Sequence, residues 1–291
     1  MKNLEKGFYT AMGTPLNADG TLCEKGLVAH IENQIENGAS GIFIMGTMGM
    51  QPSVKHDVYP LVAKLASKTV NNRASLLIGV MDNSLARVYD RIDSLKGLDI
   101  TGVVATSPFF CGCPAADLTN FFEKIADYSP FPLYLYDQPG LTNVKITEAH
   151  IAALAKHPNI KGIKTADINL VRYIKEKFPE FHLLYSHSDY YGAASTYGVD
   201  KFLEGMFACT PKNAKKIADG FNNGNTDEAV KYLKNILELR DLFIKYRVNP
   251  SLTVCMNEMG IEGIFHPDYH LDVPAEAKAE LISKLKAIGE V

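Results

Sequence analysis

Short apolar runs alternate with longer amphipathic ones along most of this chain. The apolar runs are "GFYTAMGTP" (7–15), "GIFIMG" (41–46), "SLLIGV" (75–80), "TGVVATS" (101–107), "PLYLYD" (132–137), "IKGIKTA" (160–166), "FHLLYSH" (181–187) and "KFLEGMF" (201–207). They recur about every 30 residues, the length of one strand, one helix and their loops. Several are apolar at nearly every position, as strands covered on both faces are. Between them the period becomes helical. Leu27, Ile31 and Ile35 share a face, and Gly38 follows as a stop. Val58, Leu61, Val62 and Leu65 repeat the pattern. Thr147 precedes a run with Ile151 and Leu154 that ends at Pro158. Eight such units predict an α/β fold, a (β/α)8 TIM barrel, over residues 1–223. An open doubly wound sheet is the rival, but it would place G-x-G-x-x-G after its first strand, and "GTPLNADG" is not that motif. Beyond residue 212 the strand signals stop. Thr226 is expected to cap a long helix, and "NPSLTVCMNEMG" and "PAEAKAELISKLKAIGE" read as two more. Residues 224–291 are therefore expected to form a C-terminal helical extension.

Composition narrows the function classes. The 291 residues are 46% hydrophobic and 22% charged, which suits a soluble globular protein with a large core. A net charge of −3 provides no broad basic field for nucleic acid or anionic membrane. No apolar run approaches the roughly 18 residues of a spanning helix, and "MKNLEKGFYT" lacks the apolar run of a signal peptide. Five scattered cysteines, an odd number, fit free thiols in a reducing cytoplasm. Cys111-Gly-Cys113 is the close pair. It reads as a tight glycine turn, because nothing nearby completes a metal site.

In a barrel the chemistry sits at the C-terminal strand ends. Those ends carry Thr14, Gly46 to Gly49, Ser107 to Phe110, Tyr136-Asp137, Lys164, His187 to Asp189, and Glu204 with Met206. In "IKGIKTAD", Lys161 and Lys164 have opposite parity, so on a regular strand only one faces outward. An amine on the inward face is desolvated, which favours its neutral, nucleophilic form. Such an amine attacks a ketone to give a Schiff base, an electron sink. Tyr136 ends the preceding strand, and a phenol there can relay protons. The small-residue turn "GTMG" (46–49) offers backbone N–H groups to a carboxylate.

Together, "TAMGTPLNADGTL", "GTMGMQPSV", "YDQPGLTNV" and "NIKGIKTADINL" resemble, in order and spacing, the dihydrodipicolinate synthase and N-acetylneuraminate lyase superfamily. The resemblance runs from about Phe8 to the C-terminal helices. It implies a class I aldolase with Lys164 as the Schiff-base lysine, Tyr136 as the proton relay, and Gly46 with Thr47 as the clamp on the pyruvate carboxylate. It implies no metal or organic cofactor, because the lysine is itself the electron sink, and a homotetramer or homodimer.

The departures from that family's pattern fall on residues that choose the substrate. The second hydroxyl of the family's turn becomes Met48, before Gly49, and the following glutamate becomes Met50. Phe110 stands where the synthase branch has a relay tyrosine, and phenylalanine passes no proton. Leu141 replaces the arginine that grips the second substrate of the synthase branch, which argues against lysine biosynthesis. His187-Ser188-Asp189-Tyr190 stands in place of G-Y-D-E of the sialic acid branch, and Met206 in place of a serine. Glu204 is unexpected. On the inner face it would be a second acid/base or a hydroxyl ligand; a one-residue slip would put it on the outer face. The expected activity is a Schiff-base lyase or aldolase acting on pyruvate or a related 2-oxo acid by carbon–carbon cleavage or condensation, similar to the N-acetylneuraminate lyases and 2-keto-3-deoxy sugar acid aldolases, in whose branches a leucine at the place of Leu141 is familiar. The alternatives are a Schiff-base dehydratase of a deoxy-oxo sugar acid, the synthase itself, and a barrel that binds a 2-oxo acid without turnover.

Overall fold

The computed structural model describes residues 4–291, so the start of the predicted barrel at residue 1 and the first three residues of the leader reading lie outside them. Eight parallel strands close into a barrel in chain order. They are β1 Gly7–Ala11, β2 Gly41–Ile44, β3 Ser75–Gly79, β4 Gly102–Ala105, β5 Leu133–Tyr136, β6 Ile160–Thr165, β7 His182–Tyr185 and β8 Lys201–Glu204. Each lies inside one of the predicted apolar runs. The helices between them are α1 Glu24–Glu36, α2 Val58–Val70, α3 Leu85–Ser94, α4 Ala115–Tyr128, the short α5 Pro139–Thr142, α6 Glu148–Leu154, α7 Ile168–Lys177 and α8 Tyr191–Thr196. After β8 come α9 Pro211–Asn222, α10 Thr226–Tyr246, α11 Val248–Glu258 and α12 Ala275–Ala287. Thr226 is the first helical residue of α10, and Asn225 holds the cap position. No helix among the described residues is long and apolar enough to cross a membrane.

Alternation along each strand makes two cores. Tyr9, Ala11, Phe43, Leu77, Val104, Tyr134, Tyr136, Leu184 and Leu203 fill the barrel interior. Phe8, Ile42, Ile78, Leu135, Ile163, Tyr185 and Phe202 face the helices, in a larger layer that also takes Phe243, Leu252 and Phe265 from the C-terminal region. The C-terminal helices thus extend the outer core without a second interior.

One irregularity positions the chemistry. Leu133 pairs with Ile160 but Tyr134 pairs with Gly162, so Lys161 is an extra residue on β6. A one-residue advance flips every later side chain to the other face. Ile160 and Ile163 consequently both face the helices, and Lys164 pairs in register with Tyr136. Simple parity had assigned Lys161 an ordinary outward place on a regular strand. The bulge instead takes it off the ladder, into a groove with Phe178 and Phe181.

Candidate active site

Lys164 is buried, at 7% exposure, beside Tyr136 at 3%. Its Nζ donates to the Tyr136 Oη at 2.9 Å and lies 4.0 Å from the centre of that ring. The Tyr136 Oη is in turn 3.2 Å from the Thr47 Oγ1. Amine, phenol and hydroxyl form one hydrogen-bonded chain across three strand ends. The Tyr136 ring is fixed by an edge contact with Phe43.

The outer faces of the same two strands brace this chain. Asp137 is buried and accepts from the Thr165 hydroxyl at 3.0 Å and from the Ile146 N–H at 3.0 Å. It also pairs with Lys145. Tyr136–Lys164 inside and Asp137–Thr165 outside are neighbours back to back, so the register carrying the amine is tied twice.

The Gly46–Gly49 turn is held tightly. Met45 and Met50 on either side of it are left-handed, at φ of 54° and 51°, a conformation costing about 1–3 kcal/mol for a residue with a side chain. The surroundings enforce it. A Cβ on Gly79 would stand 1.9 Å from the Met45 carbonyl oxygen, and the Thr14 hydroxyl donates to the Gly49 carbonyl at 2.7 Å. The amides of Thr47, Met48 and Gly49 have no protein acceptor among the described residues. Met48 itself packs on Gly205 and the interior core.

Beside Thr47 opens a cavity of about 220 Å³. Gly46, Thr47 and Pro52 line it from the β2 side, Met81 from the end of β3, Thr106 and Phe109 from β4, and Gln138, Leu141 and Thr142 from β5. Phe109 forms its wall. Phe110 points to solvent at 85% exposure. The loop is pinned there because the Phe109 and Phe110 amides both donate to the Asn83 Oδ1, at 2.9 and 2.7 Å. Beyond a strand end no alternation applies, so the sequence could not tell which of the two rings turns inward.

The β6–β8 side of the mouth is charged. Asp189 is held by the Arg240 guanidinium, with Nη2 3.1 Å from Oδ1 and Nη1 on Oδ2. Arg240, first of all, keeps that carboxyl below the usual range. His187 lies edge-on to Tyr190, with Nε2 3.7 Å from the Asp189 Oδ2. Glu204 pairs in register with Thr10, whose hydroxyl bonds Gln34 of α1 in the outer layer. Leu203 is the residue of β8 that enters the interior. Glu204 therefore sits on the helix-facing side of its strand. Burial raises its carboxyl above the usual range, against the opposing pull of Lys164, the Gly205 N–H and His187. Met206 has left the strand; it is buried in a single helical turn, Met206–Ala208. The sequence reading missed Arg240 because it comes from α10, far along the chain. It missed Met81, Thr106 and the loop-pinning role of Asn83 because these depend on loop geometry. Among the described residues no group of three or more His, Cys, Asp or Glu is placed to hold a metal ion.

Comparison with known proteins gives the chain's family. The chain is 26% identical to 4-hydroxy-tetrahydrodipicolinate synthase of Ligilactobacillus salivarius strain UCC118, over 95% of this chain and 97% of that one. In structure it resembles YagE, a prophage protein of the dihydrodipicolinic acid synthase family from Escherichia coli K12 solved with pyruvate (TM-score 0.90, 22% identity, 99% of this chain and 100% of that one). It equally resembles the N-acetylneuraminate lyase of Proteus mirabilis (TM-score 0.90, 20% identity, 99% and 100%). Residues 4–287, nearly the whole chain, match the dihydrodipicolinate synthetase family, and the chain belongs to that family, an enzyme of the aldolase and lyase type.

Proposed function

We propose that the protein forms a Schiff base between Lys164 and pyruvate or a related 2-oxo acid, and makes or breaks the carbon–carbon bond β to the imine. The observation that carries this reading is the chain from the Lys164 amine through the Tyr136 phenol to the Thr47 hydroxyl. The Lys164 amine attacks the ketone carbon, and one of its protons passes through the phenol to the new oxygen. The phenol gives a proton to the carbinolamine oxygen and water leaves. Thr47 orients the phenol and returns to it the proton it gave. The amides of the Gly46–Gly49 turn provide N–H donors for the substrate carboxylate. The iminium then withdraws electrons, so the enamine released by cleavage, or used in condensation, is stabilised without another cofactor.

The same reading includes a homotetramer or homodimer in the cytoplasm, by likeness to the family; sedimentation measures the assembly. The chemistry is tested by borohydride reduction with pyruvate, followed by intact mass and peptide mapping. A reduced adduct on Lys164 is the expected result. No adduct on folded protein would remove the reading. Product analysis separates cleavage to pyruvate and an aldehyde from loss of water with the carbon skeleton intact.

A further inference from the structure

We propose that the partner of the 2-oxo acid is a neutral aldehyde with an apolar body, seated in the cavity at the ends of β2 to β5. The inference rests on the Schiff-base reading above and deepens it. The cavity opens beside Thr47, one hydrogen bond from the Tyr136 phenol. An aldehyde there lies next to the group that must protonate its oxygen.

The lining selects the class. Pro52, Met81, Phe109 and Leu141 present apolar surface. None of the lining residues is Lys, Arg or His. A carboxylate or phosphate on the aldehyde would lose its water with no cation to replace it. A polyhydroxylated tail fares little better, because each buried hydroxyl needs a partner. The Thr142 hydroxyl is already engaged by the Gln138 and Val144 carbonyls of its own turn, and Thr47 is engaged by Tyr136. Thr106 and Gln138 remain, enough for one oxygen. Across the mouth, Asp189 has both oxygens on Arg240, so a sugar hydroxyl there must compete with an ion pair. The volume, about 220 Å³, lies below the roughly 300 Å³ where pockets for drug-sized ligands begin. It suits one ring or a short branched chain.

The bond changes balance. The enamine carbon of the pyruvate adduct attacks the aldehyde carbon, and the carbonyl π pair moves to oxygen, which takes a proton. Water then hydrolyses the iminium, freeing the Lys164 amine and a 4-hydroxy-2-oxo acid.

The test gives the wild-type protein pyruvate with benzaldehyde, isobutyraldehyde, glyceraldehyde or glyoxylate, and measures kcat/KM for each aldehyde by chromatography and mass spectrometry. Benzaldehyde or isobutyraldehyde is expected to lead by about tenfold or more, the low end of what one buried apolar contact discriminates. Leu141→Arg, at an exposed position that folding tolerates, is expected to shift the benzaldehyde-to-glyoxylate ratio at least about tenfold toward glyoxylate. The proposal is overturned if glyceraldehyde or glyoxylate leads, if all four are alike, or if Leu141→Arg leaves the ratio unchanged. Borohydride trapping on the same preparation keeps the two readings apart. An adduct with no product from any aldehyde overturns this inference alone. No adduct overturns the Schiff base and this inference with it.

Discussion

At the N-terminal end of the barrel, Tyr9 points its phenol at the Glu5 carbonyl, 2.6 Å away, and Tyr134 places its own 3.1 Å from the His182 Nδ1. At the C-terminal end, Tyr136 places the same group between an amine and a hydroxyl. All three rings belong to one interior core. Burial holds the Tyr9 and Tyr134 phenols well above their ordinary range, so they stay protonated and serve as caps. Tyr136 has partners on both sides and can pass a proton between them. The residue type does not decide the role; the partner at its tip does. Four substitutions test this contrast.

Lys164→Ala should have the largest effect, abolishing the borohydride adduct and with it turnover. An adduct that persists would move the chemistry to another amine. Tyr136→Phe keeps the ring against Phe43 and removes only the hydroxyl between Lys164 and Thr47. Its kcat should fall by about 10²–10⁴, the usual worth of a positioned acid/base. Asp137→Ala leaves the Thr165 hydroxyl and the Ile146 N–H without an acceptor and Lys145 with Asp167 alone as its counter-charge. Urea denaturation should show a loss of about 2–4 kcal/mol, the cost of two orphaned donors, and adduct formation should slow as the register loosens. Tyr134→Phe, at the other end, should cost about 1 kcal/mol with kcat unchanged. A fall in kcat like that of Tyr136→Phe would erase the distinction between the ends.

The smallest effect is one of pH. Burial, helped by the charges of Lys201 and Lys161, lowers the His182 pKa. The fold therefore favours the neutral ring, while the unfolded chain takes up a proton near pH 6.5. The stability this contributes is complete above about pH 6.5 and is lost as pH falls toward the depressed folded value. His182→Asn should flatten the decline in denaturation midpoint between pH 7.5 and 5. An unchanged slope would leave the ring without a part in acid sensitivity.

Much of this was readable from the chain because it depends on alternation. The eight runs gave the strands, and the inward lysine followed from its place at a strand end. Lys164 and Tyr136 stand on adjacent strands in sequence, so their meeting needed only the barrel. Lys161 shows the limit. Its bulge is a property of pairing between two strands, invisible in either one. Glu204 shows another, since one step along β8 separates the inner face from the outer. Phe109 lies past the end of periodicity altogether, and Arg240 reaches the mouth from a helix that no local pattern connects to it.

The Asn83 oxygen has a consequence for how this enzyme can change. It fastens the β4 loop at two adjacent amides and no further. Phe109 on one side of the fastening belongs to the cavity wall. From Phe110 to Gly112 the chain is open to water, and nothing lies within 4 Å of where a Gly112 side chain would begin. A residue exchanged there is therefore expected to leave the wall in place, which the aldehyde ratios of a Gly112→Ala variant would check. The boundary between the part of this loop that meets the cavity and the part that does not falls between two neighbouring phenylalanines.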